Sequence, residues 1–403
     1  MANSLLTIDM ITRESLRVLK NELSFSKSVN RQYDDSFGKE GAKIGSTMRL
    51  RKPPKYTVTD GATISIQDAT ESSVTLSLDK RKHIAMAFTT QDLSLSIDDF
   101  SKRFISPAIV PIANQIDYDG LQLYKDVYNS VGVSAVANTD LSKYLDAHAL
   151  MSNSGTPIDP RTAVIGPIAQ AKLVNGLSGL FQSAEKIAEQ YEKGVMGIAG
   201  GFKFKMDQNV ASHTGGQLGG TPLMNGATSS GATSIVTDGW TAAAANRVKQ
   251  GDVFTIANVY AVNPVSKQST GALQQFVVTA DTSSDGAGAA TIPVSPSIIS
   301  SGAFQTVNAL PADNAALTFV NSASAVGSQG LLFHPDAFAL GMAPLQLPNA
   351  GAKGMNVADP DSGLSIRFVE QYDISNDRNI YRLDVLYGWK TLYAELACRV
   401  QGT

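Results

Sequence analysis

A single cysteine, Cys398, stands in the 403 residues of the chain. One thiol can neither close a disulfide within the chain nor form a CxxC metal or redox site. In the apolar setting Leu396-Ala397-Cys398 a buried, inert thiol is expected. Charge is also scarce, at 17% of residues, where an average soluble domain has about 25%. The 33 Lys and Arg against 36 Asp and Glu leave a net charge of −3. Proteins that grip nucleic acid by counterion release carry a basic excess, so sequence-specific DNA binding is excluded as the main task. Part of so uncharged a surface is expected to face something other than water. No run of about 18 apolar residues occurs, so no membrane span is expected. The start Met1-Ala2-Asn3-Ser4-Leu5-Leu6 has neither a basic region nor a long apolar run. That predicts no secretory signal, no removed pro-segment and folding in a reducing cytoplasm.

Catalytic patterns are missing as well. The glycine-rich stretches Gly194–Gly201 and Gly215–Gly220 lack the GK[ST] ending of a phosphate loop, and are expected to be tight turns. The four histidines, His83, His148, His213 and His334, are far apart and form neither HExxH nor HxH; solvated or capping roles are expected. No GxSxG elbow occurs. The acidic pairs Asp34-Asp35, Asp98-Asp99 and Asp117/Asp119 are expected at caps, in an arm or on a solvated face. No catalytic, cofactor-binding or metal residue is assigned, and the chain is not expected to be an enzyme.

What is present is enough apolar residue, 43%, for a substantial core in roughly two to three domains. Ile8, Ile11, Val18 and Leu19, with Leu16 and Leu23 beside them, predict an amphipathic N-terminal helix. Residues 24–42 are polar with few aliphatics and are expected to form an arm that needs a neighbour to order it. Between Ile44 and Thr89 the period becomes two: Met48 and Leu50, then Val74, Leu76 and Leu78, then Ile84, Met86 and Phe88. Pro53-Pro54 and Thr59-Asp60-Gly61 punctuate them, which predicts a long two-stranded excursion that cannot stand alone. Its stem is basic, with Arg49, Arg51, Lys52 and Lys55 on one arm and Lys80, Arg81 and Lys82 on the other. Either this is a solvated charged face, or it docks on acidic patches of a neighbouring copy.

Ser96 or Asp98 can cap a short helix reaching Phe104, and Ser106-Pro107 opens a long one. Ile109, Ile112, Ala113, Ile116, Leu123 and Val127 carry it to Tyr128, about 22 residues or ~33 Å. Further helices are expected at 140–151, 167–175 and 183–192. From Ala211 to Gly330 only 8 of 120 residues are charged (3 Lys/Arg and 5 Asp). Short strands recur there at Ile235, Val253–Ile256, Phe276–Val278 and Leu317–Val320, the profile of a small all-β domain set into a mixed host. Leu383, Val385 and Tyr387 alternate with Arg382 and Asp384 in a C-terminal block read as sheet.

In this order the pieces resemble the major capsid (coat) proteins of tailed bacteriophages. The resemblance runs through the arm and hairpin, then Phe104-Ile105-Ser106-Pro107 to Ile112-Ala113-Asn114-Gln115-Ile116-Asp117. It continues in the turn Gly197-Ile198-Ala199-Gly200-Gly201-Phe202 and the ending Leu383 to Val400. Arg247-Val248-Lys249-Gln250-Gly251-Asp252-Val253-Phe254 is similar to the inserted barrel of the short-tailed phage subfamily.

The resemblance implies an α+β fold shared with herpesvirus shells. Its expected parts are an N-terminal helix and arm (1–43), an extended hairpin or E-loop (44–89), and a peripheral domain with a spine helix and the first part of an axial domain (90–221). An inserted all-β domain (222–330) and the rest of the axial domain with the C-terminal sheet (331–403) complete it. It further implies self-assembly, through hexamers and pentamers, into an icosahedral virion capsid around double-stranded DNA, touched only non-specifically. No acidic scaffold segment precedes the arm, so a separate scaffolding protein is expected, together with a portal protein and assembly in the host cytoplasm without a membrane. The seven basic stem residues are the expected contacts between subunits. Another self-associating protein, a tail tube or a cell-surface β protein, is the alternative; it leaves the long central helix unaccounted for.

Overall fold

A computed structural model describes residues 8–31, 47–58, 61, 66–67, 71–89, 104–134, 136, 140–177, 197–348, 351–359 and 363–402. The expected helices at 96–103 and 183–192 and the arm over 32–42 lie outside the described residues. The chain divides into two compact units. The first comprises Met1–Lys52, Ser73–Gly120 and Phe338–Lys390, and the second Pro53–Ser72, Leu121–Ala337 and Thr391–Thr403.

In the first unit the helix Ile8–Glu22 turns Ile11, Leu16, Val18 and Leu19 inward, as the period of 3.6 requires. The residues that follow do not leave the body as an arm. Phe25 is fully buried between Phe338 and Trp389, with ring centroids 5.8 and 5.3 Å away. One aromatic ring, invisible to a count of aliphatics, anchors this stretch.

The helix Ser106–Leu121 carries Ile109, Ile112, Ala113 and Ile116 into the core. It is shorter than its apolar spacing predicts, tightening to a 3₁₀ turn over Gln122–Asp126. Gly120 lies under the Trp389 and Phe25 rings, where a Cβ would come within 2.6 Å of Trp389. Apolar spacing continues through Val127, but the backbone does not continue as α-helix.

A five-stranded sheet faces this core. Arg378–Thr391 is its longest strand; Leu364–Asp373 and then Lys353–Asp359 lie on one side, and Phe338–Met342 and Lys80–Thr89 pair with it as well. Leu383, Val385 and Tyr387 are buried, as their alternation predicts. The hairpin expectation needs a correction here. Thr47–Lys52 pairs with Ser72–Ser77 in a two-stranded ribbon, but Lys80–Thr89 leaves it and pairs antiparallel with residues 378–387. Phe88 explains the choice, meeting Phe104 at 4.7 Å and Tyr381 at 5.6 Å between centroids.

The second unit holds two sheets. In the first, Ala397–Gly402 pairs with Val326–Phe333 and, in parallel, with Ser130–Gly132; Thr162–Ile165 and Phe202–Met206 extend it. Tyr144, Met151, Phe202, Leu332 and Cys398 fill its core, with Tyr144 and Met151 supplied by the helix Ser142–Asn153. In the other sheet, six antiparallel strands between Gly220 and Phe319 pair only with one another. Their edges meet: Leu223 bridges Ala316, and the Met224 N–H donates to the Ala315 carbonyl at 2.9 Å. Phe254, Phe276, Ile292, Ile298 and Trp240 form a core separate from the first. The strands Gly220–Met224 and Ala290–Ile298 were not expected from the sequence, and the expected limit at 330 falls within Val326–Phe333.

Candidate functional site

The seven basic residues expected at subunit contacts fall in three places. Arg49, Arg51 and Lys52 stand on the strand Thr47–Lys52, where Arg49 and Arg51 point to solvent and Met48 and Leu50 are half-buried. Lys55 follows Pro53-Pro54 in the second unit, with its Nζ 3.7 Å from Glu395 and 6.0 Å from the Phe304 ring. Lys80, Arg81 and Lys82 open the strand Lys80–Thr89 and belong to the five-stranded sheet. The structure therefore does not gather the seven into one stem.

Two of the sheet residues meet carboxylates of their own chain. Lys80 Nζ lies 3.2 Å from Asp119 Oδ2, which also accepts the Tyr387 hydroxyl at 2.8 Å. Burial, reinforced by that carboxylate, raises the Tyr387 hydroxyl above its ordinary range and keeps it a donor. Arg81 Nη2 reaches Asp384 Oδ1 at 3.5 Å. Among the described residues, Arg49 and Lys82 make no ion pair.

Asp384 is the residue that sequence reasoning missed. It is fully buried although its strand position turns it to the outer face of the sheet. Three guanidiniums cover it: Arg367 at 2.6 Å, Arg382 at 2.9 Å and Arg81 at 3.5 Å. Burial alone would raise its carboxyl, but hydrogen bonds and charge from Arg367 and Arg382 outweigh burial and hold it below the usual range. The alternation Arg382-Leu383-Asp384-Val385 marks which residues face inward; it carries no signal that an outward aspartate will be roofed by arginines.

Asp117 and Asp119 are not on a solvated face either. Asp117, buried on the long helix, accepts the backbone N–H groups of Ser24, Phe25 and Ser26 at 2.7, 3.2 and 3.0 Å. It thereby clasps the chain leaving the N-terminal helix. His213 also departs from its expected solvated role. It is buried, with Nε2 at 2.9 Å from Asp252 Oδ1 and Nδ1 at 3.2 Å from the Tyr124 hydroxyl. Cys398 is fully buried, and burial pushes its thiol up to about 12, which leaves it inert near neutral pH. Among the described residues no group of three or more His, Cys, Asp or Glu is placed to hold a metal ion.

These contacts are structural: buried carboxylates hold strands and helices in register, and exposed guanidiniums are left at the surface. The family model described as P22 coat protein - gene protein 5 matches residues 1–399. No curated protein matches the chain. Similar solved structures include one from Mycobacterium phage Che8, 13% identical, covering 94% of this chain and 90% of that chain with a TM-score of 0.48. The capsid of Cyanophage P-SCSP1u is 9% identical, covering 94% and 86%, with a TM-score of 0.46. The capsid of Ralstonia phage GP4 is 8% identical, covering 94% and 87%, with a TM-score of 0.46.

Proposed function

The chain belongs to the P22 coat protein family, as a major capsid protein that forms an icosahedral phage shell, and from that premise we propose how the subunit is built for the task. The observation that carries the reading is the extent of the match, residues 1–399. The shell encloses the double-stranded DNA of a tailed phage and is built from hexamers and pentamers in the host cytoplasm. A separate scaffolding protein and a portal protein take part. The helix Ser106–Leu121 serves as the spine of a peripheral domain, and the sheet around Val326–Phe333 as the axial domain. Residues 220–319 are an inserted barrel, a reading supported by their exclusive pairing, their meeting edges and their separate core.

The ribbon Thr47–Lys52/Ser72–Ser77 acts as the E-loop: its base rests on the five-stranded sheet, with Leu76 buried against Gly341 and Ser77 against Gly388, and the part beyond, with Arg49 and Arg51 exposed, lies on a neighbour. Contacts to that neighbour come from Arg49 on the ribbon and from Lys82. Lys55, Lys80 and Arg81 already face carboxylates of their own chain. Identical subunits supply such contacts repeatedly, so each can be weak while the shell is stable.

Light scattering and negative-stain microscopy of the purified chain test this. Dilute protein is expected to be largely monomeric and concentrated protein to form shells or aberrant polymers, with closed shells favoured by a scaffolding protein. A monomer that persists at high concentration, with and without scaffold, would overturn it.

A further inference from the structure

The stretch that leaves the strand Thr47–Lys52 through Pro53-Pro54 has two unlike sides. Lys55 turns to groups of its own unit, with Nζ 3.7 Å from Glu395 and 6.0 Å from the centre of the Phe304 ring. Phe304 stands in the loop after Ala290–Ile298, and that loop is fastened. Lys267 Nζ donates to the Ala303 carbonyl at 2.6 Å, and the Thr306 hydroxyl donates to the Ser297 carbonyl at 2.7 Å. Thr57 is held next: its N–H and its hydroxyl both donate to Gln67 Oε1, at 2.9 and 3.2 Å. The Gln67 amide in turn donates to the Thr57 carbonyl. One side-chain amide thereby clasps the two arms of the excursion side by side.

The residues that alternate with Lys55 and Thr57 stand in solvent. Tyr56 is 57% exposed, Val58 95% and Ile66 90%. Val58 and Ile66 flank the clasp, one on each arm, so two β-branched side chains are presented where the arms are tied together. Apolar residues scattered singly over a surface are ordinary, but a cluster of them on a clasped ribbon marks an interaction site. Charge is nearly absent here: of residues 56–67 only Asp60 is charged. A polyanion such as DNA finds no cation to pair with among these residues. The centre of a protein–protein interface, by contrast, is apolar, depleted of charge and enriched in tyrosine. The clasp also holds the cluster in one conformation beforehand, which lowers the entropy lost on docking.

We propose that Tyr56, Val58 and Ile66 form an apolar anchor by which one subunit holds a second copy of this chain, and that the basic residues set the rate of encounter without carrying the contact. The inference deepens the reading of the ribbon as the part that lies on a neighbour, and rests on it. A second copy is the occupant because a shell of identical subunits keeps one within reach of every ribbon. Lys55 completes the division between the two sides: it seats one on the subunit's own Glu395 and Phe304 and leaves the apolar one exposed. Hydrophobic attraction follows the apolar area removed from water, whereas attraction between exposed charges is screened by salt. The two kinds of contact therefore separate in experiment.

The test is assembly of the full chain followed by light scattering, with the critical concentration read between about 50 and 500 mM sodium chloride. Val58→Ser with Ile66→Ser should raise that concentration by about tenfold or more, the change in an association constant that burying one such side chain produces. The factor should be the same at every salt concentration. The melting temperature of the dilute subunit should stay that of wild type, because both side chains are already in water. Val58→Ile with Ile66→Val keeps the apolar area and should assemble as wild type does. A second measurement is independent of whether a variant assembles: Val58→Cys carrying an environment-sensitive fluorophore is mixed as a minor fraction into wild type. Cys398 is buried, so the label goes to position 58, and its emission should shift to the blue as shells form. Serine variants that assemble like wild type overturn the proposal, as does an unchanged emission in finished shells; either result leaves the shell reading intact. A factor that shrinks as salt is added also overturns it and returns the contact to the basic residues. A blue shift on adding scaffolding protein to dilute subunits, before any shell forms, overturns it in favour of that partner. A wild-type chain that never assembles overturns the shell reading and this inference with it.

Discussion

Residues 220–319 contain eight charged side chains in a hundred, and residues 338–390 contain eleven in fifty-three. Both segments fold mainly as antiparallel sheet. The charge-poor segment closes its sheet on itself, with Phe254, Phe276 and Trp240 inside, and its edges meet at Leu223 and Ala316. Its buried charges are satisfied locally: Asp252 accepts the N–H groups of Gly216 and Lys249, and Arg247 donates to the Thr241 carbonyl. The charge-rich segment stays open. One face is covered by apolar packing around the long helix, and the other keeps Arg367, Arg382 and Asp384. A closed sheet has no edge to manage and can do without charge. An open one has to specify what its free face does, and charge is the means here.

The largest expected effect breaks the closed member of the pair. Phe276→Ala opens a cavity in a core that shares no residue with the neighbouring one, at a cost of about 3–5 kcal/mol. Hydrogen exchange should then show lost protection across 220–319 while amides around Leu383 keep theirs. Equal loss in both places would show that the two sheets are not energetically separate.

The open member should fail through charge. Asp384→Asn leaves three guanidiniums around a neutral group, and breaking a buried pair costs about 3–5 kcal/mol. The low end is expected because Arg81 and Arg382 also reach water. The carboxyl is depressed in the folded protein, so its contribution is complete above the unfolded value of about 3.9. It is lost as pH falls through the lower folded value. Denaturant titrations between about pH 5 and pH 2 should show this slope in wild type and a shallower one in Asp384→Asn; parallel slopes would remove Asp384 from the account.

How far the sequence announced this difference depends on what kind of signal each residue gives. Leu383, Val385 and Tyr387 reveal their burial because alternation is a direct consequence of the pleat. Period two reports a face but never a partner, so Lys80–Thr89 read as hairpin and was found in the sheet. Pro222, Pro293 and Pro296 disguised two strands, since proline argues against a central strand. Ala290–Ile298 accommodates them by dividing its pairing: residues 290–293 and 298 pair with Ala232–Trp240, and residues 294–295 with Ser269–Val278. Asp117 was illegible because its partners lie 91–93 positions away, and Asp384 because only Arg382 is near in sequence while Arg367 and Arg81 lie 17 and 303 positions away. Of the basic contact set, the residue types could be read but not their division between ribbon and sheet.

The smallest effect separates ribbon from sheet within that basic set. Arg49 and Lys82 make no ion pair among the described residues, so Arg49→Glu with Lys82→Glu should leave the melting temperature nearly unchanged. Arg81→Glu, by contrast, would disturb Asp384. If the two residues meet acidic groups of a neighbouring subunit, each contact contributes only about 0–1 kcal/mol, as exposed pairs do. Repetition over the shell turns that into a rate: assembly followed by light scattering should slow in the double variant. The slowing should be greatest at low ionic strength, where the screening length is longest, and shrink as salt is added. Slowing that is independent of salt would point to a packing defect instead, and an assembly rate equal to wild type at every ionic strength would take Arg49 and Lys82 out of the interface.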